Sequence, residues 1–157
     1  MKIEILSREA LTELATEPFA ADVAVISITD FDDEDVALSC EPEHILRLKF
    51  DDVGDDIFEE MSDHKPSIRQ MRQIEQRYHM LSNSQTRQLA DFILSRKRRG
   101  TLICQCQYGQ SRSAGVAAAV AEYYYRRGVH IFADPRYYPN KYIFRKLLRA
   151  LRTRGGQ

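Results

Sequence analysis

The segment that most constrains the fold of this chain runs from residue 101 to residue 127. Thr101–Gln105 is short and largely apolar, which is typical of a buried strand. Ala114–Arg127 is rich in alanine, the best helix former, and Gly128 is expected to end this helix. The polar residues between the two segments must therefore form a tight loop from a strand into a helix, which is a basic connection of α/β folds.

The rest of the chain also alternates between strand-like and helix-like segments. Ser7 and Asn140 are typical N-terminal capping residues, and each precedes a predicted helix. The predicted strands are Lys2–Leu6, Val23–Thr29, Ile45–Phe50 and Thr101–Gln105, and the predicted helices are Arg8–Ala15, Ser67–Met80, Ser84–Lys97, Ala114–Arg127 and a last one from Asn140 to Arg152. This alternation predicts an α/β fold with a central, mostly parallel sheet of about four to five strands, flanked by helices on both faces.

No repeat or linker divides the sequence. We therefore expect a single domain over residues 1–157, with residues 153–157 as a flexible tail. The acidic stretch Asp51–Asp63 is expected to form an exposed loop.

Composition argues against several classes of protein. Hydrophobic residues make up 43% of the chain and charged residues 29%, as in globular proteins and unlike disordered ones. No apolar run reaches about 18 residues, so we expect neither a transmembrane helix nor a membrane partner. Three cysteines, an odd number, argue against a disulfide framework and favour a reducing, cytoplasmic setting.

Charge is distributed unevenly, although the formal net charge is zero. Residues 1–63 contain 19 acidic and 4 basic side chains, whereas residues 64–157 contain 4 acidic and 19 basic ones. A basic half of this kind indicates an anionic partner or substrate. The alternative interpretation is that the acidic and basic halves neutralise each other within one fold, which would give the same composition.

The most informative stretch is residues 106–113, with the sequence CQYGQSRS. In a loop from a strand into a helix, backbone N–H groups converge on one point and bind anions. The same positive field favours the thiolate of Cys106, which is the nucleophilic form of cysteine. Arg112 has a planar fork of donors that matches two phosphate oxygens, and Gly109 permits a positive φ angle or a close backbone approach to the ligand. Ser113 can hydrogen-bond the thiolate.

This C-x5-R-S pattern, with glycine at the third loop position, resembles the signature loop of the cysteine-dependent protein tyrosine phosphatases. The compact dual-specificity-like and prokaryotic members are most similar. Pro135-x-x-x-Pro139-Asn140 and the strand end Leu48–Asp52 resemble further segments of that family. The resemblance covers roughly residues 23–152 and implies a tyrosine-phosphatase-like fold.

The resemblance also implies a reaction and its residues. Cys106 would attack phosphorus and form a cysteinyl-phosphate, Arg112 would bind the transferring group, and Ser113 would stabilise the thiolate as it leaves. No metal or other cofactor is implied. The implied phosphate-binding residues are Gln107, Tyr108, Gly109, Gln110, Ser111 and Arg112.

The implied substrate is a phosphorylated protein or a small phosphomonoester, not a nucleic acid. Phosphotyrosine is favoured, and dual specificity for phosphoserine and phosphothreonine stays open. Gln105 departs from the family, which usually has a histidine before the nucleophile. We expect this glutamine to bond backbone groups and to lower activity without abolishing it.

The general acid must come from elsewhere in the chain. Asp51, Asp52 and Asp55 follow the Ile45–Phe50 strand, where the family has its acid, and alignment with the strand end favours Asp52 and then Asp51. The segment Ser67–Met80 is inserted relative to compact members, so Asp63, nearer to Cys106 in sequence, is a further candidate.

Other interpretations remain open at this point. The loop would also suit a module that binds a phosphorylated partner without turnover, and the basic half would suit a nucleic-acid-binding protein. Cys104 is expected to pack in the core, and Cys40 is a candidate partner for reversible oxidation of Cys106. The four histidines lack the spacing of metal ligands.

Overall fold

The computed structural model of this protein describes residues 1–60 and 66–156. Four strands and seven helices are found in these ranges. In chain order they are β1 (Lys2–Leu6), α1 (Arg8–Leu14), β2 (Val23–Thr29), β3 (His44–Lys49), α2 (Asp56–Glu60), α3 (Ile68–Arg77), α4 (Asn83–Ser95), β4 (Thr101–Gln105), α5 (Arg112–Tyr125), α6 (Gly128–Ala133) and α7 (Lys141–Gly155). Each predicted strand is present, so the expected alternation of strands and helices is confirmed.

The strands form one parallel sheet in the order β1-β4-β2-β3. β4 lies between β1 and β2, with Cys104 opposite Ile5 on one side and Ile26 on the other. Because all strands run the same way, the residues that follow them meet at one edge of the sheet. The sheet therefore confirms the predicted parallel architecture and brings the loop after β4 to its centre.

Helices cover both faces of the sheet. Successive side chains of a strand point to opposite faces, and each face has its own hydrophobic core. Ile26, Leu102 and Cys104 point to the larger core, which they share with α4, α5 and α7. Val25 and Ile103 point to the opposite face, where Leu11 of α1 covers them. Burial on both faces explains why β2 and β4 are largely apolar, with polar residues mainly towards their ends and the buried pair Ser27 and Gln105.

Capping residues begin several of these helices, as the sequence predicted. Ser7 Oγ accepts a hydrogen bond from Ala10 N at 3.1 Å, and Asn140 Oδ1 accepts one from Ile143 N at 3.1 Å.

Within the described ranges, no helix has both the length and the apolar character needed to cross a membrane.

The structure corrects three local predictions. The acidic stretch expected to be a loop contains α2, and its last part, residues 61–63, lies outside the described residues. α5 ends at Tyr125 because Arg126 adopts a left-handed conformation with φ 57°, and Gly128 begins the unpredicted helix α6 instead of ending α5. α7 continues to Gly155, past the predicted end, and Arg154 near its end pairs with Asp91 of α4.

Candidate active site

Residues 106–111 connect β4 to α5 at the carboxyl edge of the sheet. The turn between β1 and α1 holds this loop in place. Cys106 N donates to Leu6 O at 3.4 Å, and Arg8 N donates to Gln107 O at 3.1 Å. The start of the loop is therefore fixed by the neighbouring strand, and Cys106 is only 3% exposed.

Gly109 is required at its position for two independent reasons. Its φ angle is 65°, in the left-handed region that side chains disfavour. A Cβ atom there would lie 2.6 Å from Ser7 N and 2.7 Å from Leu6 C. The predicted positive φ is confirmed, and the close approach that the structure shows is to the end of β1 and Ser7.

Three carbonyl groups of the loop accept hydrogen bonds from residues outside it. Gln107 O, Gln110 O and Ser111 O accept hydrogen bonds from the backbone of neighbouring segments at 2.8–3.1 Å. In the described part of the chain, the N–H groups of residues 107–111 donate to no acceptor. A loop with bonded carbonyls and unbonded N–H groups is suited to hold an anion.

Cys106 and Ser113 face each other at this loop. Their Sγ and Oγ atoms are 3.0 Å apart, and Ser113 is fully buried. The predicted contact between the two side chains is therefore present, and the hydroxyl can donate to a thiolate on Cys106.

Arg112 is the first residue of α5 and is only 5% exposed. Its Nη1 atom donates to Phe50 O at 2.8 Å and forms an ion pair with Asp30. Its Nε atom is buried and finds no hydrogen-bond acceptor among the described residues. A buried donor without a partner is costly, so a ligand oxygen at this atom would be stabilising.

Asp30 is a site residue that our sequence reasoning missed. It directly follows β2, which pairs with β4 so that Ser27 lies opposite Gln105. Polar residues just after the buried strands of a parallel sheet gather at one edge, where ligands bind. The position of Asp30 directly after a buried strand is therefore the signal by which it could have been found.

The structure separates the two favoured candidates for the general acid. Asp52 Oδ1 accepts hydrogen bonds from Ser111 Oγ at 2.8 Å and from Asn140 Nδ2 at 2.9 Å. Asp51 instead accepts from Phe31 N at 2.8 Å and lies 3.5 Å from His79 Nδ1. Only Asp52 of this pair is bonded to the loop 106–111.

Of the remaining candidates for the acid, Asp55 lines a cleft together with Asp52 and Ser111, but its carboxylate is paired elsewhere. Asp55 forms an ion pair with Arg145 of α7. Asp63 lies outside the described residues.

The segment before α7 braces the loop from the other side. Tyr138 N donates to Gln110 O at 2.9 Å, and Asn140 N donates to Ser111 O at 3.1 Å. Gly115 of α5 lets this segment come close, since a Cβ atom there would lie 2.8 Å from Asn140 O. The Pro-Asn resemblance noted in the sequence thus corresponds to a segment that contacts the loop.

Gln105 lies beneath the loop, fully buried. We expected it to bond the backbone, but Gln105 Oε1 accepts a hydrogen bond of 2.6 Å from the side chain of Ser27. β2 therefore supplies the polar partner, because Ser27 is the residue opposite Gln105 in the sheet.

The other two cysteines are separated from this chemistry. Cys104 is buried in the larger core, and burial, with a smaller contribution from Cys106, raises the pKa of its thiol. Cys40 lies at the C-terminal end of α1, where its N–H donates to Ala15 O, whereas Cys106 adjoins the residues before the start of that helix. A helix of this length separates them by about 10 Å, too far for a direct disulfide.

Comparison with known proteins gives matches in structure but not in sequence. No family model matches the sequence, and no curated protein does. The mouse "putative dual specificity phosphatase" complexed with zinc tungstate is 17% identical, with a TM-score of 0.52 over 99% of this chain and 85% of that one. Human DUSP28 is 15% identical, with a TM-score of 0.50 over 99% of this chain and 94% of that one.

A DUSP28 structure with a single tyrosine-to-histidine substitution gives the same result. It is 16% identical, with a TM-score of 0.51 over 99% of this chain and 92% of that one. At these identities the likeness concerns the fold. The chain has the α/β fold of the dual specificity phosphatases, which confirms the fold that the sequence resemblance implied.

Proposed function

We propose that this chain, which has the fold of the dual specificity phosphatases, is a phosphomonoester hydrolase that acts on phosphotyrosine in proteins. The observation that carries this proposal is the bond of 2.8 Å between Asp52 and Ser111, which joins a carboxyl group to the anion-binding loop. A module that only binds phosphate needs the loop but not a proton donor beside it.

In the first step, the Cys106 thiolate attacks phosphorus in line, and an S–P bond forms while the ester P–O bond breaks. Arg112 and the loop N–H groups hold the non-bridging oxygens, where negative charge accumulates. The protonated carboxyl of Asp52 gives its proton to the departing oxygen, so that an alcohol or phenol leaves.

In the second step, a water molecule attacks the phosphorus of the cysteinyl-phosphate. The Asp52 carboxylate takes a proton from this water, the S–P bond breaks, and inorganic phosphate and the thiolate are released. Ser113 Oγ, 3.0 Å from Cys106 Sγ, donates a hydrogen bond to the thiolate and makes it a better leaving group.

Exposed aromatic side chains near the loop support phosphotyrosine as the substrate. Tyr108 in the loop is 76% exposed, and Phe31, which follows the Arg112 partner Asp30, is 46% exposed. Both rings offer apolar surface to a phenol ring. Residues 107–111 contain no lysine or arginine to meet the additional phosphates of an inositol headgroup, which disfavours phosphoinositides.

The mouse protein of similar fold is complexed with zinc tungstate, and tungstate is a tetrahedral oxyanion like phosphate. We therefore expect tungstate to bind at the loop of this chain and to inhibit turnover competitively. A titration calorimetry experiment with tungstate reports this binding without requiring catalysis.

Hydrolysis of p-nitrophenyl phosphate and of a phosphotyrosine peptide tests the proposal. Cys106→Ser should reduce turnover at least about 1,000-fold while still binding tungstate, because the serine hydroxyl is a far weaker nucleophile. Cys104→Ala, which removes the other buried thiol of the same strand, is the matched control and should keep most of the activity.

One result would favour the binding module instead. Wild-type protein that binds a phosphotyrosine peptide tightly, but does not release phosphate from it, would contradict the enzymatic proposal. Equal turnover of a phosphothreonine peptide would extend the specificity to both classes of residue.

A further inference from the structure

A second concave surface lies away from the phosphate loop, between α3, α4 and α7. It encloses about 670 Å³, and exposed arginines from all three helices line it, namely Arg72, Arg87 and Arg149. We call this surface the arginine groove.

The arginine groove has an excess of positive charge that the described residues do not neutralise. Its other cations are paired, since Arg145 contacts Asp55, Lys146 contacts Glu75 and Arg154 contacts Asp91. In contrast, neither Arg72, Arg87 nor Arg149 has a carboxylate oxygen within 4 Å among the residues that the structure describes. Three unpaired cations on one concave surface are complementary to a polyanionic ligand.

The arginine groove adjoins the cleft at the phosphate loop. That cleft, of about 610 Å³, is lined by Asp52, Ser111 and Asn140. Asp55 and Arg145 line both the cleft and the groove, so their ion pair forms the boundary between them. A chain bound with its phosphate at the loop can therefore extend over this pair into the groove.

We propose that the arginine groove binds an acidic segment of the protein substrate, close in sequence to the phosphorylated residue. This inference rests on the proposed function for the position of the phosphate and adds the determinant of substrate choice. Carboxylates of the segment pair with Arg72, Arg87 and Arg149, while the phosphate occupies the loop between β4 and α5.

The helix geometry gives the spacing of the acidic residues. Asn140 at the cleft and Arg149 in the groove are nine residues apart on α7, which corresponds to about 14 Å along the helix axis. An extended peptide covers about 3.3 Å per residue, so this distance takes about four residues. Acidic side chains about three to five residues from the phosphotyrosine are therefore expected to reach the groove.

The arginine groove also has an apolar margin on α3. Ile68 is 68% exposed and lies one helical turn before Met71, and both line the groove. An apolar side chain among the acidic residues of the ligand would cover this margin. A segment such as Glu-Glu-Leu-Glu meets both requirements.

Phosphotyrosine peptides with this segment before or after the phosphorylated residue, and matched peptides with glutamine for glutamate, test the proposal. For the favoured side, we expect about tenfold higher kcat/KM for the acidic peptide, through a lower KM, since each exposed ion pair contributes a few-fold. The preference should decrease as salt concentration rises. Arg87→Gln/Arg149→Gln should reduce it to the few-fold effect of Arg72, relative to turnover of p-nitrophenyl phosphate.

Arg69→Gln/Arg152→Gln is the matched control, because it removes the same charge from exposed positions of α3 and α7 that do not line the groove. This control should keep the preference for the acidic peptide. Equal loss of the preference in both double variants, or its full persistence in Arg87→Gln/Arg149→Gln, would overturn the proposal.

Direct binding distinguishes failure of the groove from failure of the enzymatic proposal. An unphosphorylated, fluorescein-labelled acidic peptide is titrated with wild type and Arg87→Gln/Arg149→Gln, and its anisotropy is measured. Binding by wild type alone supports the groove even if no phosphatase activity is found. Two results would overturn the proposal. Stronger binding of an oligonucleotide than of the peptide would assign the surface to a nucleic acid. A wild-type dimer that dissociates in Arg87→Gln/Arg149→Gln would assign it to a second copy of the chain.

Discussion

Asp52 and Asn140 are 88 residues apart in the chain, yet Asn140 Nδ2 donates a hydrogen bond of 2.9 Å to Asp52 Oδ1. The same side chain caps α7 through Ile143 N, and the Asn140 backbone N–H bonds Ser111 O. A single residue thus connects the start of α7, the phosphate loop and the candidate acid.

Replacing Asn140 should separate its structural role from its effect on Asp52. Asn140→Ala removes both bonds, so we expect about 1 kcal/mol less stability from the lost cap and about tenfold to a hundredfold slower turnover from a misplaced acid. Asn140→Ser keeps a capping oxygen but lacks the amide donor, so stability should recover while turnover stays low. Chemical denaturation and steady-state kinetics measure the two effects, and full recovery of turnover in Asn140→Ser would contradict the positioning role.

Asp52→Asn should slow turnover by about 100-fold to 10,000-fold, as expected when a general acid is removed. The loss should be larger for a phosphotyrosine peptide than for p-nitrophenyl phosphate, because p-nitrophenol is a better leaving group and needs less protonation. Asp51→Asn is the control, since Asp51 bonds Phe31 N and not the loop. A greater loss in Asp51→Asn than in Asp52→Asn would show that the acid has been assigned to the wrong residue.

Asp30→Asn should weaken the fold but strengthen its response to oxyanions. The substitution leaves the buried Arg112 guanidinium without its carboxylate, which we expect to cost about 1–2 kcal/mol, since Asp30 itself is partly exposed. A bound anion replaces the missing charge, so tungstate should raise the thermal unfolding temperature of the variant more than that of wild type. Equal tungstate-induced shifts in both proteins would argue against electrostatic coupling between Asp30 and Arg112.

The buried pair of Ser27 and Gln105 should show strong coupling in a double-mutant cycle. Ser27→Ala leaves Gln105 Oε1 without its donor, and Gln105→Met leaves the Ser27 hydroxyl without its acceptor, so each should cost about 1–3 kcal/mol. The double variant should cost less than the sum, because an apolar pair leaves no polar atom unsatisfied. Additive losses in free energy of unfolding would mean that the two side chains act independently.

Much of the fold was predictable because its signals are local. Apolar segments of strand length, the capping residues Ser7 and Asn140 and the alanine-rich stretch after residue 113 each act over a few neighbouring positions. The errors came where local rules compete. Arg126, not Gly128, adopts the left-handed conformation that ends α5, so a rule based on glycine misplaced the boundary and concealed α6.

The candidate site was predictable only in part for the same reason. Cys106, Arg112 and Ser113 lie within eight residues of one another, so their spacing alone indicated an anion-binding loop with a nucleophile. The choice between Asp51 and Asp52 depends on which side chain reaches Ser111 and Asn140, and neighbouring residues after a strand point in different directions. No local pattern distinguishes them.

The sequence by itself determined the β4–loop–α5 unit and the residue types that it carries, because a strand, a positive-φ glycine and a helix start are encoded by adjacent residues. Only the tertiary structure decided what surrounds that unit. The parallel order β1-β4-β2-β3 brings Asp30 to Arg112 and Ser27 to Gln105, and the packing of α7 brings Asn140 to Asp52. These contacts join residues 78 to 88 positions apart, and such pairs are set by how the whole sheet and its helices pack, not by spacing along the chain.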